Sequence, residues 1–176
     1  MKEIAVFGGG CFWCTEAVFE RLKGVLSVMP GYAGGLKDSP SYEEVSRGST
    51  GHAEVIKIEY DPSVISFGDL LSVFFNTHDP TQLNQQGNDV GEQYRSAIFY
   101  TTDTQKQEAE FLIKEFGEKK AYDKPVVTKV EPLGKFYPAE NYHREYYNRN
   151  SDAPYCELVI APKLDKLQRK FKQLLS

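Results

Sequence analysis

Residues 4–22, IAVFGGGCFWCTEAVFERL, decide how the chain begins to fold. Four residues, Ile4–Phe7, run apolar and then meet three glycines, the pattern of a short buried strand ended by a tight turn. Cys11, Cys14, Val18 and Leu22 then recur at helical spacing, so the stretch reads strand, turn, helix, with Cys11 on or beside the first helical turn. A thiol placed there faces unpaired backbone N–H groups and the positive end of the helix dipole. Both favour the thiolate, which is the nucleophilic form. Gly8–Gly10 let the backbone bend and would leave the sulfur open.

Outward from this junction, Val25 to about Ala33 predicts a strand ended by Gly34-Gly35. A polar loop from Leu36 to His52 leads to Ala53–Tyr60, whose alternation predicts another strand, closed by Asp61-Pro62. Phe67–Asn76 predicts a helix, and Thr77–Tyr94 is polar and irregular, a length of loop that often serves function. Beyond it come a strand at Ser96–Tyr100, a helix at Thr104–Phe116 capped by Asp103 or Thr104, and a strand at Val126–Val130. Ala139–Asn148 predicts a helix, Leu158–Ala161 a short extended piece, and Leu164–Leu175 an amphipathic, lysine-rich helix. No repeat, low-complexity tract or linker divides the chain. Strands and helices interleave without a strict βαβ repeat or a Rossmann fingerprint, so the expected class is α+β, a mixed sheet with helices packed on it, in one domain spanning 1–176.

The 176 residues suffice to bury a core without disulfides, and a formal net charge of −4 gives no footprint for nucleic acid or an anionic membrane. No apolar run approaches the ~20 residues that span a bilayer, and the N-terminal apolar stretch is too short for a signal peptide. Three cysteines make an odd count, which argues against a secreted disulfide framework and for the reducing cytoplasm. Eleven tyrosines exceed what a core of this size needs and suggest site lining.

Three readings of the cysteines compete with a nucleophilic Cys11. Cys11 is a small buried hydrophobe in the first. In the second, Cys11, Cys14 and Cys156 join His52, His78 or His143 around zinc, although the second close ligand pair is missing, because Cys156 stands 13 positions from the nearest histidine. The third is a general dithiol oxidoreductase. The spacing suits it, but two bulky aromatics between the cysteines are unusual for a dithiol that must dock partner proteins.

Beyond this junction, several blocks carry a resemblance. Gly9-Gly10-Cys11-Phe12-Trp13, Gly31-Tyr32-Ala33-Gly34-Gly35, Tyr42-Glu43-Glu44-Val45 and Gly51-His52-Ala53-Glu54-Val55 come first. His78-Asp79-Pro80, the run from Gln86 to Ser96, and the run from Phe136 to His143 follow in order. Together they resemble the A-type peptide methionine sulfoxide reductases over roughly residues 4 to 160.

That resemblance implies a two-layer, ferredoxin-like core with a mostly antiparallel sheet. It implies reduction of the S-epimer of methionine sulfoxide, free or in oxidised proteins, by a monomer with no bound cofactor or metal. Cys11 matches the nucleophile, which would be left as a sulfenic acid. Glu54 matches the acid that protonates the sulfoxide oxygen, a role that needs a raised pKa and therefore a desolvated pocket. Tyr42 and Tyr94 match phenols that hydrogen-bond the same oxygen, and Asp89 matches a polar residue near the nucleophile. Phe12 and Trp13 would hold the substrate methyl, since sulfur and methyl groups pack well on aromatic rings. Cys156, in the segment of about 150–176, matches the resolving cysteine, with thioredoxin (dithiothreitol in vitro) as reductant. Cys14 stands where many members carry glycine, so it is a second resolving candidate.

Overall fold

The computed structural model describes residues 1–176. Glu3–Gly8 form β1 and Phe12–Phe19 form α1, with Cys11 as the N-cap residue in extended backbone. Gly10 makes the turn at φ +92°, where a side chain would be strained and a Cβ would come within 2.8 Å of Gln86. Val25–Ala33 form β2, Ala53–Tyr60 β3 and Phe67–Asn76 α3, which follows a five-residue α2 at Tyr42–Ser46. Ser66 and Asp69 cap α3 reciprocally, and Ser41 and Glu44 cap α2 in the same way. Two short strands, β4 (Gln85–Gln86) and β5 (Asp89–Val90), pair within the long polar segment. Ala97–Tyr100 form β6, Asp103–Glu118 α4, Lys129–Pro132 β7 and Phe136–Pro138 β8. Tyr146–Arg149 form α5, and a π-helical turn at Cys156–Ile160 runs into α6 at Ala161–Lys170.

The main sheet has the order β7-β6-β1-β3-β2-β8 and is antiparallel except where β7 joins β6 in parallel. Its central strands β6-β1-β3-β2, with α1 and α3 as the two crossovers, give the split βαβ arrangement of a ferredoxin-like core. The expected class, α+β with a mixed and mostly antiparallel sheet, is the one observed. One face of the sheet (Ala5, Phe7, Ile56, Ile58, Tyr60) packs against Phe12, Val18 and Phe19 of α1 and Leu70, Leu71 and Phe74 of α3. Val6, Ala53, Val55 and Phe99 occupy the other face, where Leu133 and Phe136 cover them. Alternation along β3 puts Glu54 on the face of Ile56 and Ile58, towards α1.

Several local expectations give way to tertiary structure. The polar loop from Leu36 to His52 contains α2, formed by its capping box rather than by any apolar stripe. Thr102 caps α4, its hydroxyl accepting from Gln105 N–H, in place of Asp103 or Thr104. The strand expected at Val126–Val130 lies at Lys129–Pro132, in register with β6, and Phe136–Pro138 adds an edge strand that its length concealed. Ala139–Asn148 is broken: a 3₁₀ turn at Asn141–His143 is followed by Glu145 at φ +53°, and only α5 is α-helical. Leu158–Ala161 is helical, not extended, because the π-turn continues into α6, which ends at Lys170.

Candidate active site

α1 starts just past the C-terminal end of the central strand β1, so its N-terminus lies beside the neighbouring strand β3. Phe12 N–H donates to Glu54 Oε1 at 3.1 Å. One backbone group of the Cys11 turn is thereby tied to the carboxyl of the next strand. Glu54 is 1% exposed, and its other oxygen, Oε2, is buried without a hydrogen-bond partner. Burial pushes its carboxyl up to about 8, the Phe12 N–H opposing and nearby Asp89 and Cys14 adding to the rise. The Glu54 carboxyl is therefore a protonated donor near neutral pH, with a free oxygen facing a desolvated space.

Cys11 is only 8% exposed, so the glycine turn bends the chain as expected but does not leave the sulfur open. Burial drives the Cys11 thiol well above the ordinary cysteine range, and interactions with Cys14 and Glu54 add to this. The Trp13 backbone N–H is the influence that lowers it. Cys14 is lowered to about 7, first by its hydrogen-bonding interaction with Cys11. Burial in this closed arrangement works against the thiolate that the helix end favours at Cys11. Desolvation opposes the helix end at Cys11, and the two thiols titrate as one interacting pair.

Tyr42, the first residue of α2, stacks against Phe12 with ring centroids 6.3 Å apart. Its backbone N–H donates to Glu140, which also accepts from the Tyr32 hydroxyl. Tyr94 comes from the 3₁₀ turn at Glu92–Tyr94. Burial pushes Tyr42 up to about 12 and Tyr94 well upward too, and for both phenols the charges of Glu54 and Cys11 add to the rise. Both hydroxyls therefore stay protonated donors. Asp89, on β5, accepts from the Tyr155 hydroxyl at 2.9 Å, and that same hydroxyl lies 3.3 Å from Cys14 Sγ. Asp89 thus reaches the cysteines through Tyr155.

Phe12 is fully buried and Trp13 partly so. Trp13 Nε1–H donates to His143 Nδ1 at 3.0 Å, and its ring stacks on Tyr146 at 3.7 Å with 7° between the planes. Since an indole only donates, the neutral His143 carries its proton on Nε2, which is buried and unpartnered. Burial lowers the His143 pKa and keeps the ring neutral. Cys156 is wholly buried and shares one apolar cluster with Cys11, Cys14, Ala17 and Ile160. All three cysteines are free thiols.

The structure thus gathers Cys11, Phe12, Trp13, Tyr42, Glu54, Tyr94, Asp89, Cys14 and Cys156 around the start of α1. It adds four groups that sequence reasoning did not assign to the site: Tyr155, Tyr146, Glu140 and His143, the last of which it had weighed only as a zinc ligand. The signal for Tyr146 and Tyr155 was the surplus of tyrosine between Tyr142 and Tyr155, and Glu140 and His143 lie in the block from Phe136 to His143. The histidines of the zinc reading have other partners. His52 contacts Gly35 N–H and Lys37 O, His78 contacts Phe74 O and Ser96 Oγ, and no cluster of three metal-binding side chains forms.

The family described as peptide methionine sulfoxide reductase matches residues 3–175. A peptide methionine sulfoxide reductase MsrA of Thermus thermophilus is 54% identical over 174 residues, covering 99% of this chain and 98% of the relative. Among solved structures, reduced Mxr1 from Saccharomyces cerevisiae superposes with a TM-score of 0.80 at 36% identity, covering 88% of this chain and 89% of that one. Mxr1 in complex with Trx2 superposes at 0.56 with 25% identity, covering 82% and 84%. No helix is long and apolar enough to cross a membrane.

Proposed function

Because this chain belongs to the peptide methionine sulfoxide reductase family, it is a thiol oxidoreductase acting on methionine sulfoxide, and we propose that Cys11 is its attacking thiol. The observation that carries the assignment is the buried, unpartnered Oε2 of Glu54 beside that thiol. A sulfoxide oxygen is a strong acceptor. Seated between protonated Glu54 and the phenols of Tyr42 and Tyr94, it would fill the missing hydrogen bond. The methyl group lies on Phe12 and Trp13, and this handed placement of oxygen and methyl selects the S-epimer.

Cys11 sulfur bonds to the sulfoxide sulfur as Glu54 protonates the oxygen and takes up the Cys11 thiol proton in return. The hydroxyl then passes to Cys11 as the transient S–S bond and the old S–O bond break. The products are methionine and a Cys11 sulfenic acid. Attack by a second thiol then forms a disulfide and releases water. Cys156, on the segment of about 150–176 in a single catalytic domain 1–176, is the first resolver in this reading. Cys14 takes over by exchange and passes the disulfide to thioredoxin, a partner supported by the Mxr1–Trx2 complex. Three free thiols suit the reducing cytoplasm, and the site is complete within one chain, so a monomer suffices.

The test is turnover of the two sulfoxide epimers, free and in an oxidised protein, with dithiothreitol or thioredoxin. The S-epimer alone should be reduced, and Cys11→Ser should be inactive. Equal use of both epimers, or activity in Cys11→Ser, overturns the assignment.

A further inference from the structure

Glu16 is a buried carboxyl that the reaction above does not use. It lies on α1, five residues after Cys11, and is 2% exposed. Both of its oxygens accept from a single backbone group, the N–H of Glu145, at 2.9 and 3.0 Å. Glu145 sits in the left-handed region at φ +53°, an unfavourable place for a residue with a Cβ, and it begins the four-residue α5 without any side-chain cap from its own turn. So short a helix does not hold itself. A second tether runs alongside, from Asn148 Nδ2 to Glu20 Oε1 at 3.0 Å, while Arg149 closes the turn on itself through Tyr142 O and Arg144 O.

The residue next to Glu145 is Tyr146, whose ring lies flat on Trp13. We propose that Glu16 is a positioning residue for the methyl pocket: its carboxyl group, reaching from α1 to the Glu145 backbone, fixes the α5 turn and thereby holds Tyr146 on Trp13. This rests on the reading of Trp13 as part of that pocket. The geometry makes Glu16 a fixed strut between the helix that carries the nucleophile and the distant segment that covers it, 129 positions away in sequence.

Trp13 is the only tryptophan, so its fluorescence reports the stack directly. In Glu16→Gln one of the two acceptor oxygens becomes an NH₂ group facing the Glu145 N–H, so the two-point hold is cut to one and the turn loosens. The expected result is roughly a twofold or larger rise in acrylamide quenching of Trp13, with KM for methionine-S-sulfoxide raised about three- to tenfold and kcat nearly unchanged, the size of one lost aromatic contact. Tyr146→Ala should give the same changes, and adding Glu16→Gln to it should change neither further. Independent, multiplying effects in the double variant overturn the proposal, as does unchanged quenching in Glu16→Gln. Raised quenching with KM unchanged in both single variants instead overturns the pocket role of Trp13. Should Glu16→Gln fail to fold, Glu16→Asp keeps the carboxyl group but withdraws it by one methylene, and the same comparison applies with smaller changes.

Discussion

Replacing Glu54 with glutamine keeps the shape of the side chain and removes only its titration. In the folded protein the carboxyl is raised from 4.5 to about 8, chiefly by burial. The folded state therefore binds more protons than the unfolded chain between these values, so stability falls as pH rises through that window. At 1.36 kcal/mol per unit, the cost of keeping this group buried is about 1 kcal/mol near pH 5, about 3 near pH 7, and approaches about 5 above pH 8. Glu54→Gln escapes it. The stability of the variant relative to wild type should thus grow by about 4 kcal/mol between roughly pH 5 and pH 9. Urea unfolding of both proteins at a series of pH values, with the thiols kept reduced, measures this difference, and the other titrating groups cancel in it. Activity should move the opposite way: the variant loses about 10²–10⁴-fold in kcat, the worth of a positioned general acid, and wild-type turnover declines as pH rises through about 8. Parallel stability curves would refute the reasoning, because Glu54 would then not be held protonated by its burial.

Tyr42→Phe and Tyr94→Phe should each lower kcat/KM about tenfold, the worth of one hydrogen bond to a developing charge, and unchanged rates in both would remove the phenols from the reaction. Cys156→Ser should stop thioredoxin-driven turnover while sparing one dithiothreitol-supported turnover. If Cys14→Ser does this and Cys156→Ser does not, the order of resolvers is reversed. Gly31→Ala would place a Cβ 2.4 Å from both Phe136 Cζ and Tyr137 O, forcing β8 away from β2. A loss of about 1–3 kcal/mol in thermal or urea melts is expected, and no loss would mean that the edge strand yields freely.

Periodicity located the elements that carry their own apolar pattern. β2, β3 and α3 fall where alternation or helical spacing put them, and β1 and α1 differ from the reading only at their ends. Elements with no local signature were hidden. β8 is three residues long and exists only because β2 offers an edge, and the π-turn at Cys156–Ile160 forms because burying Cys156 against α1 outweighs weak local preference. The site was legible through motif residues that match the family resemblance, which is what joined Glu54 to Cys11; their spacing alone does not. The Tyr155–Asp89 and Trp13–His143 bonds join residues 66 and 130 positions apart, and no local pattern encodes such pairs. The burial that raises the Cys11 thiol was also out of reach, since only the closed fold supplies it.

The cover of the reactive helix comes from far downstream: His143, Tyr146, Tyr155 and Cys156 all pack on a helix that begins at residue 12. During synthesis, which runs from the N-terminus, α1 and its two thiols leave the ribosome more than a hundred residues ahead of the groups that bury them. Until residues 143–156 have emerged, the nascent chain therefore carries the two cysteines at the start of α1 without the cover that buries them in the fold.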